Sequence, residues 1–200
     1  MNSDEVNMKK RLIAIYLAVA MLILSTPVYA YETNGCTIVN TLTFVPYSGF
    51  GTTSRSHMSS AADVWNAEID FTAISVSSSV HTDATGYYTQ DSNNRIYRID
   101  AGSGYAGVSH IWRNPVTKVV TECDINLNIY YSWANSAQPN CFDVYSIILH
   151  EFGHEMGLAD LRDTTLYSYD TAVMWYQGQF NSEKRTLKQD DKNGISHIYN

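Results

Sequence analysis

Between residues 150 and 160 the chain reads His150-Glu151-Phe152-Gly153-His154-Glu155-Met156-Gly157-Leu158-Ala159-Asp160, and no other segment restricts the fold as tightly. Val144, Ile147, Ile148, Phe152 and Met156 recur at helical spacing behind Asp143, a candidate N-cap. Four residues of helix turn through about 400°, so His150 and His154 leave one face with an offset of about 40°. Two imidazoles so placed suit one Zn2+ at about 2.0–2.1 Å. Glu151 sits one step past His150 and projects beside such a metal, the place for a base acting on a metal-activated water. Gly157 is placed to end the helix, because glycine adopts positive φ and turns the chain back abruptly. A catalytic zinc takes three protein ligands and keeps one position open. Asp160 arrives three residues after the glycine as a hard anionic third ligand, with Asp163, at a longer spacing, as the alternative.

The whole string resembles the signature of the metzincin zinc metallopeptidases, His-Glu-x-x-His-x-x-Gly-x-x-His/Asp. Most members end it with His; here it ends with Asp160. Downstream, Ala172-Val173-Met174-Trp175 stands where metzincins carry a methionine in a tight turn under the metal, a role the resemblance gives to Met174. Tyr176 falls where some metzincins place a tyrosine near the zinc. The end of the chain, Leu187 to Tyr199 with its Asp190-Asp191 pair, is similar to the last helix of the matrixin branch, in which that pair ties the helix to the methionine turn. Cys123-Asp124-Ile125-Asn126 and Cys141-Phe142-Asp143-Val144 are similar to bacterial matrixin-like proteins. The resemblance covers about residues 37–200. It implies a minimal α+β catalytic domain: a twisted mixed sheet of about five strands, mostly parallel with one antiparallel edge, and three helices. A peptide substrate would extend along that edge.

The rest of the chain is compatible with this. Residues 37–45, 71–76, 95–99, 105–112 and 118–129 read as strands, the last two forming a hairpin through Asn114-Pro115. Ser56 or Ser59 is expected to cap a helix running to about Glu68, and a last helix spans about Gln189–Tyr199. Residues 83–94 and 131–140 read as loops. His57, His81, His110 and His197 lack ligand spacing and are expected to serve no metal. Asp91 and Asp124 are candidate calcium ligands.

Lys9, Lys10 and Arg11 precede an apolar run from Leu12 to Ser25, and Val28-Tyr29-Ala30 offers a cleavage site, so residues 1–30 read as a signal peptide and 31–200 as the catalytic domain. Only a handful of residues then separate Ala30 from the first strand, so no large prodomain is expected. The formal net charge is −7, and loss of the leader, which carries Lys9, Lys10 and Arg11 against Asp4 and Glu5, leaves −8. An acidic surface argues against nucleic acid and anionic membrane as partners. A secreted monomer acting on protein or peptide substrates is expected. In an oxidising compartment two of the three cysteines should pair, and Cys123–Cys141 brackets a single loop. Cys36 is then the odd thiol: buried and free, a partner in a different pairing, or a metal ligand in a latent form. Two functions remain open: an endopeptidase, or a catalytically silent zinc-binding module that kept the site. The presence of Glu151 favours the enzyme.

Overall fold

The computed structural model describes residues 31–85, 89–162 and 171–200. Five strands form one sheet: β1 (Leu42–Pro46), β2 (Ile74–Val76), β3 (Asn94–Tyr97), β4 (Gly107–Arg113) and β5 (Val120–Leu127), in the order β2-β1-β3-β5-β4. All neighbours run parallel except β4, which lies antiparallel to β5 at the edge. Three helices complete the domain: α1 (Thr52–Asn66), α2 (Val144–Glu155) and α3 (Gln189–Tyr199). This is the mixed α+β architecture expected, down to the antiparallel edge.

The sheet buries Phe44, Ile74, Ile96, Ile125 and Leu127. Against them pack Met58, Ala61, Ala62 and Trp65 of α1 and Ile148, Leu149 and Phe152 of α2. The Phe44 and Phe152 rings stand 5.2 Å apart. Trp65 is fully buried, and its indole N–H donates to the Leu149 carbonyl of α2 at 2.8 Å, so its polar atom is satisfied inside the core. The other face of β5 carries Asp124 and Asn126, with Asn128 just past its end, all buried. Their side-chain oxygens accept the backbone N–H groups of Arg95, Ile99 and Ala101 at 2.8–3.0 Å. Asn128 also donates to the carbonyls of Gly102 and Tyr105, pinning the loop that delivers β4.

Several local expectations shift. The first strand is shorter than 37–45; Thr37 instead makes a single parallel bridge to Val119. Helix α1 starts after Gly51, upstream of Ser56 and Ser59. Ser59 points its hydroxyl back to the Arg55 carbonyl at 3.3 Å, the bond of a helix-interior serine. Residues 131–140 are not wholly loop: β6 (Ser132–Ala134) pairs in parallel with β7 (Cys141–Asp143), immediately before α2.

The Cys123–Cys141 bridge does not form, and all three cysteines are free thiols. Cys123 lies in β5, fully buried beside Glu155 of α2, whereas Cys141 opens β7 in the separate small sheet. Bracketing one loop in sequence does not bring the two thiols together across it. Cys36 is buried with its sulfur 3.1 Å from the Arg113 guanidinium, which places it away from a metal-ligand role. No helix among the described residues is long and apolar enough to cross a membrane. Residues 1–30, expected to be a signal peptide, lie outside the described residues.

Candidate metal centre

Helix α2 is anchored at its start by Asp143, whose carboxylate accepts the Ser146 backbone N–H at 3.0 Å and pairs with Arg185 at 2.6 Å. The helix ends on Gly157. Gly157 has φ of 98°, its N–H donates to the His154 carbonyl, and the Leu158 N–H donates to the Gly153 carbonyl. These two bonds make a Schellman cap. A side chain at residue 157 would run into the Cys36 carbonyl, so both conformation and space require glycine.

The turn carries Asp160 back to the helix. Asp160 Oδ1 lies 3.2 Å from His150 Nε2 and 3.4 Å from His154 Nε2. Among the described residues these three form the only cluster of His, Cys, Asp and Glu able to hold a metal ion. The far side of each imidazole is fixed. His150 Nδ1 lies 2.8 Å from the Val173 carbonyl and His154 Nδ1 lies 3.0 Å from the Leu158 carbonyl. A carbonyl only accepts, so each Nδ1 carries a proton and each Nε2 is the nitrogen turned toward Asp160, free to ligate once it gives up its own proton.

The electrostatics of the cluster call for a cation. Burial pushes the Asp160 carboxyl up, but His150, His154 and Arg162 around it outweigh that and hold it well below the ordinary carboxylate range. Burial alone would lower His154; Asp160 and the Glu151 charge reverse this and raise it to about 9. The anionic Asp160 thus favours positive charge beside it, either a proton on His154 or a metal in its place, and a two-nitrogen, one-oxygen donor set fits zinc.

Glu151 is buried at the foot of a cleft of about 1030 Å³, lined also by Gly107, Ser109, His150, His154 and Asp160. Its Oε2 accepts the Ser109 hydroxyl of β4 at 2.8 Å. The edge strand thus runs past the carboxylate and the metal-binding trio. Met174 lies beneath α2, its sulfur against the Cα of Gly153, where no side chain fits. The Asp191 carboxylate accepts the N–H groups of Val173 and Met174, each at 3.1 Å, which is the tie between last helix and methionine turn that the resemblance implies. Tyr176 lines the cleft and is 40% exposed, with the Arg162 guanidinium 5.6 Å from its ring centroid.

The structure places His150, His154 and Asp160 within one cluster and Glu151 in the same cleft. Asp163, the alternative ligand, lies outside the described residues. Asp91 pairs with Arg95 at 2.6 Å and Asp124 accepts the Arg95 N–H, so neither joins a metal-binding group. Among the described residues, no metal-binding cluster includes His57, His81, His110 or His197.

Sequence reasoning missed three supports. Asn34 donates to the His154 and Leu158 carbonyls at 2.8 and 3.1 Å, clamping the turn. Arg162 grips the second oxygen of Asp160 at 2.8 Å. Ser109 holds Glu151. None carries a local signal; only Arg162, two positions past Asp160, stood near enough to have been weighed.

No curated protein matches the chain. Among solved structures, one of myroilysin aligns at 16% identity over 85% of this chain and 95% of its own, with a TM-score of 0.43. High choriolytic enzyme 1, a hatching enzyme zinc-protease from the medaka fish Oryzias latipes, aligns at 12% identity over 88% of this chain and 96% of its own, with a TM-score of 0.42. The family model described as Matrixin matches residues 40–200. With four-fifths of its length matched, the chain belongs to the matrixin family, whose members have a zinc metallopeptidase fold.

Proposed function

We propose that the protein is a secreted zinc endopeptidase that hydrolyses peptide bonds in extended protein substrates. His150, His154 and Asp160 hold the metal and Glu151 is the general base. One observation carries the reading: two imidazole nitrogens, each ring fixed at its other nitrogen by a backbone carbonyl, converge on a half-buried carboxylate at 3.2 and 3.4 Å, with Glu151 on the same helix turn.

Bound zinc supplies Lewis acidity, worth several kcal/mol to an oxygen that gains negative charge. The chain's own groups do the rest. The edge strand β4 offers backbone N–H and C=O groups to a substrate laid out as an added strand. Glu151 takes the proton from the attacking water and passes it to the departing amine. Asp160 contributes the negative charge that third-ligand imidazole would lack, and Arg162 shares that charge from the outer side. The leader at residues 1–30 supports export, and the acidic charge of the chain supports neither nucleic acid nor anionic membrane as partner.

The test is a digestion assay on casein or gelatin with the purified residues 31–200, with and without a chelator, beside Glu151→Ala. Chelator-sensitive cleavage by the native protein and none by Glu151→Ala supports the enzyme. Full zinc content with no cleavage by either protein identifies a silent zinc-binding module instead.

A further inference from the structure

Strand β4 passes within touching distance of Glu151 at two alternate positions, Gly107 and Ser109, which share one face of the strand. At Gly107 a Cβ would collide with Glu151 Oε1 and stand 2.7 Å from Ile147 Cγ2, so the absence of a side chain there makes the room that the carboxylate occupies. At Ser109 the hydroxyl lies 2.8 Å from Glu151 Oε2. A carboxylate only accepts, so the hydroxyl proton is directed to Oε2. Two other acceptors face this hydroxyl, the Glu151 backbone carbonyl at 3.4 Å and the fully buried carboxyl of Glu155 one turn further along α2, and the contact to Oε2 is shorter than that to the carbonyl.

We propose that Ser109 is a positioning residue for the reaction: its hydroxyl fixes one oxygen of Glu151 so that the other is left, over Gly107, to exchange the proton. The proposal rests on Glu151 being the base. A glutamate side chain has three rotatable bonds, and a proton acceptor displaced by about 1 Å loses up to about a hundredfold in rate. A hydroxyl on the rigid edge strand removes that freedom before substrate arrives. The same strand that pairs with the substrate therefore also sets the base, which couples substrate register to the position of the proton acceptor.

The experiment compares the native protein with Ser109→Ala and Ser109→Thr on one peptide substrate, with zinc content measured for each. In Ser109→Ala kcat falls by about tenfold while KM stays within about twofold and zinc remains at one per chain, because the oxygen is unpinned but the edge and the metal are untouched. Ser109→Thr, which keeps the hydroxyl and suits a strand, restores kcat to within about threefold of native. In the metal-free proteins, Ser109→Ala and Glu151→Gln shift the denaturant midpoint non-additively. Unchanged kcat in Ser109→Ala overturns the proposal, as do additive midpoints or a loss shared by KM and zinc content. A native protein that binds zinc but shows no chelator-sensitive cleavage defeats the underlying reading of Glu151; an active native protein with an unaffected Ser109→Ala defeats this proposal alone.

Discussion

Met174 donates its backbone N–H to the Asp191 carboxylate at 3.1 Å, across 17 residues of chain. The neighbouring Val173 N–H does the same, and the Val173 carbonyl orients His150 at 2.8 Å. A single buried carboxylate on α3 thus sets the turn that sets an imidazole of the metal centre.

Asp191→Ala should therefore do two things. Three backbone donors, those of Val173, Met174 and Lys188, lose their acceptor. Buried donors left unsatisfied cost about 1–3 kcal/mol each before relaxation, so a loss of roughly 3 kcal/mol in urea unfolding is expected. Zinc affinity, read by competition with a chromogenic chelator, should fall about tenfold, as when an outer partner of a ligating histidine is removed. Unaltered zinc affinity in a folded variant would sever the link between α3 and His150.

Gly157→Ala tests the turn that delivers Asp160. The φ of 98° and the Cys36 carbonyl in the path of a Cβ both oppose the substitution. A cost of about 2 kcal/mol or more in denaturant unfolding is expected, together with weaker zinc binding as Asp160 is displaced. Gly51→Ala is the control, since a Cβ there meets nothing and φ is −63°. It should cost under about 1 kcal/mol and leave zinc binding alone. Equal costs for the two would remove the argument from Gly157.

How much of this was readable in the residues depends on how local each signal is. The His150–Asp160 turn was legible because helix periodicity, a Schellman glycine and ligand spacing all act within 11 residues. Helix α3 was legible for the same reason, and the edge hairpin announced itself through Asn114, whose side chain accepts the Val116 and Thr117 N–H groups of the turn. The start of α1 was not, because no side chain caps it at Gly51 while serines that look like caps lie in its interior. The β6–β7 pair was hidden by strands of three residues each, too short to show a period. Asn34 meets His154 across 120 residues, and no pattern in sequence marks such a contact. The cysteine pairing failed on the same ground: separation along the chain does not report which face of β5 carries Cys123.

Asp124 gives the molecule a pH dependence away from the metal centre. Burial raises its carboxyl from the ordinary 3.8 to about 7, and its Oδ2 has no hydrogen-bond partner. The unfolded chain ionises this group above about pH 4, while the folded chain keeps the proton until about pH 7. The folded state thus binds more protons in that window, and its stability falls as pH rises through it. Asp124→Asn keeps an acceptor for the Arg95 N–H and carries no charge. It should match the native protein near pH 4 and exceed its stability at pH 7.5 by on the order of 2 kcal/mol. Parallel stability curves for the two proteins across this range would refute the burial argument.

The central claim is that His150, His154 and Asp160 hold one zinc on which Glu151 acts. The most direct measurement is zinc stoichiometry by elemental analysis, joined to chelator-sensitive peptide cleavage, for the native protein, Glu151→Gln and Asp160→Ala. The account predicts one zinc per chain and cleavage in the native protein, one zinc without cleavage in Glu151→Gln, and loss of both in Asp160→Ala. Native protein that is folded yet binds no zinc, or Asp160→Ala that keeps full zinc and full activity, would contradict it.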